Sequence, residues 1–444
     1  MFCSRWIING MLLSWLVLLP VFSYGQTMEE EIKILKDRIE LLEKKMAEKE
    51  LEQPLPMEPA LEERIFSLER EVDRLGYSAE LLETLSSIEA GGDLTLIMQQ
   101  AERNKRGKDK GDLSTSADLE LRLPVGPFGI LFTRANVGQG EGVAKWLPNN
   151  FSGPNADLEF DDSRFQWVEA WFGTTFPWPS IKDQRFSTNV GKMDPTAFFD
   201  TNRLANAETD QFIADLFVNN LGIDWGGDDN GYGFGSRLAH RFTSINQKGL
   251  TVEGSLGYFD GDGDFSDTFR DPFLIAELSV NRSYNGLEGN YHFYAWQNDQ
   301  NHTEWKNYNG NGKRNRGFGF SIDQDISSNL AFFTRYGYQD PDVSKFDQVI
   351  TMGGRIVGNH WRRARDHLGV AYGMSHISKD YKKHSLEIDG YKADENEHYF
   401  EFYYRYNIWG DVAVTPDIQY VINPGGGEDG DGPWIFGLRL QVNF

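Results

Sequence analysis

Cysteine is nearly absent: among 444 residues Cys3 is the only one, and it lies in an N-terminal segment expected to be removed. The mature chain then has no disulfide, so it must be held by a buried core or by closed sheet hydrogen bonding. Long hydrophobic runs are missing too. Beyond residue 25 nothing approaches 18 consecutive apolar residues, so no membrane-crossing helix is expected. Positive charge is scarce, with 44 Lys and Arg against 67 Asp and Glu, a net charge of −23. That balance argues against nucleic acid as a partner, since phosphate contacts demand a basic face.

Site motifs are absent as well. The eight histidines form no HExxH or comparable ligand spacing, and there is no GxSxG elbow. No metal site, catalytic residue or cofactor is therefore expected. Asp260-Gly261-Asp262-Gly263-Asp264 opens like a calcium loop, but Phe265 stands at the sixth position and no Glu closes twelve residues. It reads as a polar external loop. Gly231 to Gly235 lacks the βαβ surroundings of a nucleotide loop.

What is present falls into sections. Residues 1–25 have the layout of a secretory signal peptide: Arg5, an apolar stretch from Met11 to Phe22, then Ser23-Tyr24-Gly25. In residues 26–51, Met28, Ile32, Leu35, Ile39, Leu42 and Met46 alternate by four and three, the seam of a coiled coil. Residues 52–60 carry Pro54, Pro56 and Pro59 and read as a stiff linker. A second helical seam follows in residues 61–90 at Leu61, Ile65, Leu68, Val72 and Leu75. Self-association, two- or three-stranded with a homotrimer as the latter case, is the expectation. A lone amphipathic helix lying on the rest of the protein is the alternative.

From Gly91 the period becomes 2. Leu287, Gly289, Tyr291, Phe293 and Ala295 interleave with Glu288, Asn290, His292, Tyr294 and Trp296, and similar ten-residue segments recur about sixteen times. Charged residues keep to one face and apolar or aromatic residues to the other. That is the pattern of an all-β transmembrane antiparallel barrel, residues 91–444, with polar residues toward the lumen. It also explains how a chain with 14% aromatics keeps the mean hydropathy of a soluble protein. The last strand is clearest. Trp434, Phe436, Leu438, Leu440, Val442 and Phe444 share a face, opposite Ile435, Gly437, Arg439, Gln441 and Asn443. Bacterial barrels commonly end this way, so outer-membrane lipid and, through Phe444, the barrel assembly machinery are expected partners. The helical region would remain in the periplasm of a Gram-negative cell. Trp225, Tyr258, Tyr338, Tyr406, Trp409 and Trp434 suit interfacial girdles.

Asn189-Val190-Gly191-Lys192-Met193-Asp194-Pro195-Thr196-Ala197-Phe198-Phe199-Asp200 breaks the alternation, and Thr201 to Asn220 reads as a helix or compact loop. Together with Val414 to Gly426 this resembles the carbohydrate-selective porin (OprB-type) family, over roughly Gly91 to Phe444. The resemblance implies sixteen strands, passive diffusion of small sugars, and loops folded inward to narrow the pore.

A sugar pore needs aromatic faces for C–H patches and polar groups for hydroxyls. Both must hold weakly, so that a permeant leaves as readily as it enters. By parity the lumen candidates are Trp167, Glu169, Trp171, Asn290, His292, Tyr294, Trp296, Arg335, Glu401, Arg405, Asp417, Gln419 and Arg439. Lys192, Asp194, Asp200 and Arg203 are the candidates for constriction. Each can equally belong to a bracing network in the barrel wall, and a one-residue slip inverts a strand's assignments. Rival readings are a general or anion-selective porin, a membrane-bound hydrolase, and a tether between the outer membrane and the cell wall.

Overall fold

The computed structural model describes residues 87–102, 110–147, 150–156, 164–177, 184–227, 231–243, 249–265, 268–307, 312–427 and 432–444. Between 33 and 70 it describes nine positions, all helical. The signal peptide, the proline linker and most of both heptad seams lie outside the described residues. The chain divides into Met1–Glu89 and Ala90–Phe444.

The second unit is a closed antiparallel barrel of sixteen strands, as the alternation predicts, in which each strand pairs with its sequence neighbours and the first with the last. The strands are β1 (Glu89–Glu102), β2 (Lys110–Val125), β3 (Gly129–Gln139), β4 (Arg164–Pro177), β5 (Gln184–Met193), β6 (Gly233–Thr243), β7 (Leu250–Phe259) and β8 (Phe273–Tyr284). They continue as β9 (Leu287–His302), β10 (Lys313–Asp325), β11 (Leu330–Gln339), β12 (Phe346–Val357), β13 (His367–Ile377), β14 (Glu397–Trp409), β15 (Val412–Ile422) and β16 (Trp434–Asn443). β1 begins at Glu89, so the last two residues of the stretch 61–90 expected to be helical are strand.

The outer surface shows why the polar/apolar alternation selects this fold. Leu256 is 61% exposed and faces Leu238 across the β6–β7 ladder; Leu278 is paired with Phe293, and Val370 with Phe402. An exposed apolar band of this kind is stable against lipid and not against water. A closed ladder also removes the edge strands whose free N–H and C=O groups hydrocarbon cannot satisfy. Tyr406, Trp409 and Trp434 lie exposed on this outer side.

One end of the barrel carries short turns, the other longer loops. The β8–β9 turn is Asn285-Gly286, both at positive φ (52° and 76°), the pair that a two-residue hairpin matched to strand twist favours. At the loop end α1 (Asp215–Val218) lies in the β5–β6 connection and α2 (Lys379–Ile388) in the β13–β14 connection.

Candidate functional site

The β5–β6 connection does not stay outside. From Asp194 to about Trp225 it turns into the lumen and lies along the inner wall. Its apolar residues explain the path: Leu204, Phe212, Ala214, Leu216 and Phe217 are buried in one cluster with the wall residues Phe333, Val349, Tyr399 and Tyr403. The Phe212 ring meets Tyr403 at 4.9 Å and Phe333 at 5.6 Å. Phe199 and Ile223 join a second cluster with Phe259, Phe273, Ile275 and Trp296. Burying each such side chain is worth about 1.5–3 kcal/mol, which favours the folded-in path over an exposed loop.

Polar wall residues fix the segment's course. Arg335 donates to the carbonyls of Phe217 (2.8 Å), Val218 (3.0 Å) and Asp200 (3.0 Å) and to Asn206 Oδ1 (2.7 Å), and pairs with the Asp200 carboxylate at 3.2 Å. Glu401 accepts the N–H groups of Ile213 (2.5 Å) and Ala214 (3.0 Å). Glu277 accepts that of Asp200 at 2.8 Å, holding this aspartate at φ +55°. Arg203 reaches Asp323 (2.6 Å) and Asp325 (3.1 Å). These backbone groups have no ladder partner, and the wall side chains supply one.

A second inserted stretch, residues 143–147 and 150–156 of the β3–β4 connection, has no counterpart in the sequence reading. Glu397 accepts the N–H groups of Phe151 (3.0 Å), Ser152 (3.1 Å) and Gly425. Gln99 and Gln419 both donate to the Pro154 carbonyl, at 2.8 and 3.0 Å. The available signal was a set of apolar residues (Val143, Leu147, Phe151) in a connection otherwise rich in Asn, Pro and Gly.

The expected lumen residues divide accordingly. Glu169, Trp171, Asn290, His292, Tyr294, Trp296, Arg335, Glu401, Arg405, Asp417, Gln419 and Arg439 all project inward. Tyr294, Trp296, Arg335, Glu401, Asp417, Gln419 and Arg439 are at most 5% exposed, so the inserted segments cover them. They act as anchors, and the expectation that they meet a permeant is corrected. His292 is likewise bound up, through Nδ1, with Glu277 (2.9 Å) and Ser279 (3.0 Å). Trp167 is a correction of another kind. It is 54% exposed on the outer surface, because a bulge between Arg134 and Ala135 pairs them with Glu169 and Trp167 and skips Val168. Trp225 is no girdle residue either: it packs on Phe273 at 5.7 Å inside the barrel, because it belongs to the inserted segment.

Of the constriction candidates, Asp200 is 2% exposed and occupied by Arg335, so it is an anchor. Arg203 is spent largely on Asp323, Asp325 and, at 3.5 Å, Glu288. Lys192 pairs with Ala170 and Phe234, on the outward row, so the register removes it from the lumen wall; its ammonium approaches the Tyr232 ring at 6.0 Å. Asp194 stays half-open, capping the turn at Thr196 (2.8 Å) and facing Arg134 at 3.7 Å.

Open polar groups remain on β2 and β3, where the inserted segments leave the wall bare. Asp118 accepts from Asn136 at 3.1 Å, Glu120 is half-exposed beside them, and Arg134 pairs with Glu169 at 3.0 Å. None of Asp118, Glu120, Arg134 or Asn136 was singled out from sequence, although each obeys the inward parity of its strand. Outside the lumen, carboxylate oxygens of Asp260, Asp262 and Asp264 lie within 4.8 Å of one another, in the loop read as polar and external.

Residues 104–444 match the family model described as carbohydrate-selective porin, OprB family. Porin B of Pseudomonas aeruginosa is 25% identical over 132 residues, 27% of this chain; the alignment spans only 29% of that relative's length. An uncharacterised protein of Aquifex aeolicus is 25% identical over 344 residues, 76% of this chain and 90% of its own. Among solved structures, Pseudomonas putida OprB at high pH superposes with a TM-score of 0.68 at 16% identity, covering 84% of this chain and 97% of that one, a likeness of fold.

Proposed function

The chain belongs to the carbohydrate-selective porin (OprB) family, whose members are channels rather than enzymes, and on that premise we propose that it passes small sugars by passive diffusion across the outer membrane. The observation that carries this reading is the pair of inserted segments, pinned to one side of the lumen and leaving a half-exposed polar strip on β2 and β3. A solute moving along this strip meets Asp118 and Asn136 bonded to each other and Asp194 bonded to Thr196 and facing Arg134. Each can exchange a bond with a hydroxyl without being left unpaired, which keeps binding weak enough for release.

Liposome swelling tests it. Vesicles bearing the barrel should swell at rates that fall steeply with sugar size, and sugars should outpace amino acids of similar size. Equal rates for the two classes would remove the sugar preference, and no swelling would remove the channel.

The N-terminal heptads extend the proposal. We read residues 26–51 and 61–86 as a periplasmic coiled coil that joins copies of the chain or tethers the barrel to the cell wall. Deleting residues 27–86 should then abolish cell-wall association or oligomer formation and leave sugar flux largely unchanged.

A further inference from the structure

Four basic side chains meet on the inner wall toward the short-turn end. Arg405 on β14 pairs in register with His367 on β13, and Arg439 on β16 sits on the next rungs beside Thr415 and Ile97. Arg355 on β12 lies opposite Gly369, two residues further along the same row as His367. The charges of Arg355, Arg405 and Arg439 all reach the His367 ring. Tyr403 completes the group, its ring edge-on to His367 at 5.7 Å.

The donors of this group are left over. Arg355 and Arg405 make no ion pair among the described residues, and the Nε of each is buried without a hydrogen-bond partner. Arg439, fully buried, uses only Nη1, on the carbonyls of Glu208 (2.5 Å) and Gln211 (3.0 Å). Its Nε and Nη2 are orphaned, as is the Tyr403 hydroxyl. The acids whose charges reach Arg439 are Asp210 on the inserted segment and Asp417 and Glu401 on the wall, and neither wall acid closes an ion pair with it among the described residues. The Asp210 carbonyl meets His367 Nε2 at 3.3 Å, and its carboxylate closes no ion pair with the three arginines.

A guanidinium has donors only. A sugar hydroxyl placed here brings a donor that finds no acceptor, whereas a carboxylate or phosphate brings acceptors alone and a charge that three guanidinium groups stabilise. Unsatisfied buried donors are costly and uncommon in folded proteins, so their convergence on one patch points to a group that arrives from outside. We propose that Arg355, Arg405 and His367, with the charge of the covered Arg439 behind them, form an oxyanion subsite in the lumen, through which the channel favours acidic sugars over neutral sugars of equal size. This rests on the channel reading and sharpens its substrate class.

The test uses the full chain in planar bilayers and liposomes, with glucose, gluconate and glucose 6-phosphate as probes. The gluconate-to-glucose flux ratio should exceed one. In an Arg355→Gln/Arg405→Gln double variant, which spares the anchoring Arg439, that ratio should fall about fivefold, the factor expected for a half-exposed ion contact. Lysine at both positions should keep anion over cation selectivity while losing part of the ratio, because charge remains and the fork does not. Faster passage or stronger block by glucose 6-phosphate identifies phosphate, rather than carboxylate, as the better-held oxyanion, and supports the subsite equally. A ratio at or below one for both acidic sugars, or a ratio unchanged in the folded double variant, overturns it while leaving glucose diffusion standing. If glucose itself does not pass, the channel reading falls and the subsite falls with it.

Discussion

Arg335→Met removes the side chain that binds the inserted segment most densely. Methionine fills similar space but donates nothing, so the carbonyls of Phe217, Val218 and Asp200 and the Asn206 amide oxygen each lose a donor. The Asp200 carboxylate, 2% exposed, is left without its countercharge. Breaking a buried ion pair from one side costs about 3–5 kcal/mol. The strand ladder does not depend on Arg335, so the penalty falls on the segment's docked position and shifts its docked-to-released ratio by roughly two to four orders of magnitude. Single-channel recordings should show a higher and noisier conductance, and protease added to vesicles should cut between residues 201 and 220. Arg335→Lys, which keeps the charge and loses the fork, should fall between wild type and methionine. Unchanged conductance together with an uncut segment in a folded Arg335→Met barrel would refute the claim that this arginine holds the segment in place.

Other consequences can be measured alongside. Glu401→Ala strands the Ile213 and Ala214 N–H groups and should destabilise the docked segment by about 1–3 kcal/mol per donor, read as raised conductance; Glu401→Gln, still an acceptor, should be milder. Glu397→Ala should loosen the second inserted stretch alone, so that new protease cuts appear near residues 150–156 while residues 201–220 stay protected. Leu278→Arg on the lipid face should cost about 2–4 kcal/mol in bilayer refolding, whereas Ser279→Ala inside should leave insertion intact. At the short-turn end, burial would raise the Asp366 carboxyl, but Arg363, the Tyr404 hydroxyl (2.6 Å) and the Asn407 N–H (3.1 Å) hold it below the usual range. Its contribution is therefore present above the unfolded value, about pH 3.9, and is lost as pH falls through the lower folded value. The melting difference between wild type and Asp366→Asn should vanish in strong acid, and a difference constant down to pH 2 would contradict this.

The period-2 pattern made the strands and their lumenal row legible, because parity is a local property of a pleated ladder. Trp167 was misplaced since a bulge is set by the partner strand: nothing within residues 164–177 signals that Val168 drops out of register. Asp200, Arg335 and Glu401 were seen to face inward, but their burial depends on a connection folding back across the barrel. That contact joins residues more than 100 positions apart and leaves no periodic trace. The apolar content of Thr201 to Asn220 marked a compact segment, and only its fit against Phe333, Tyr399 and Tyr403 shows where it lies. Arg355 and His367 escaped notice because donor saturation, rather than residue type, sets them apart.

The pairing of β1 with β16 carries a consequence for assembly. Ten residue pairs from Asp93 to Glu102 join the opening strand to the closing one, so this seam cannot form until the whole barrel sequence is available. Every earlier intermediate presents two unpaired edges, each able to template another chain or to stall in hydrocarbon. Completion is thus the slow, high-separation event, and it is a single zipper. A substitution at the seam, such as Met98→Pro on β1, should delay closure of the ring far more than it weakens the ring once closed.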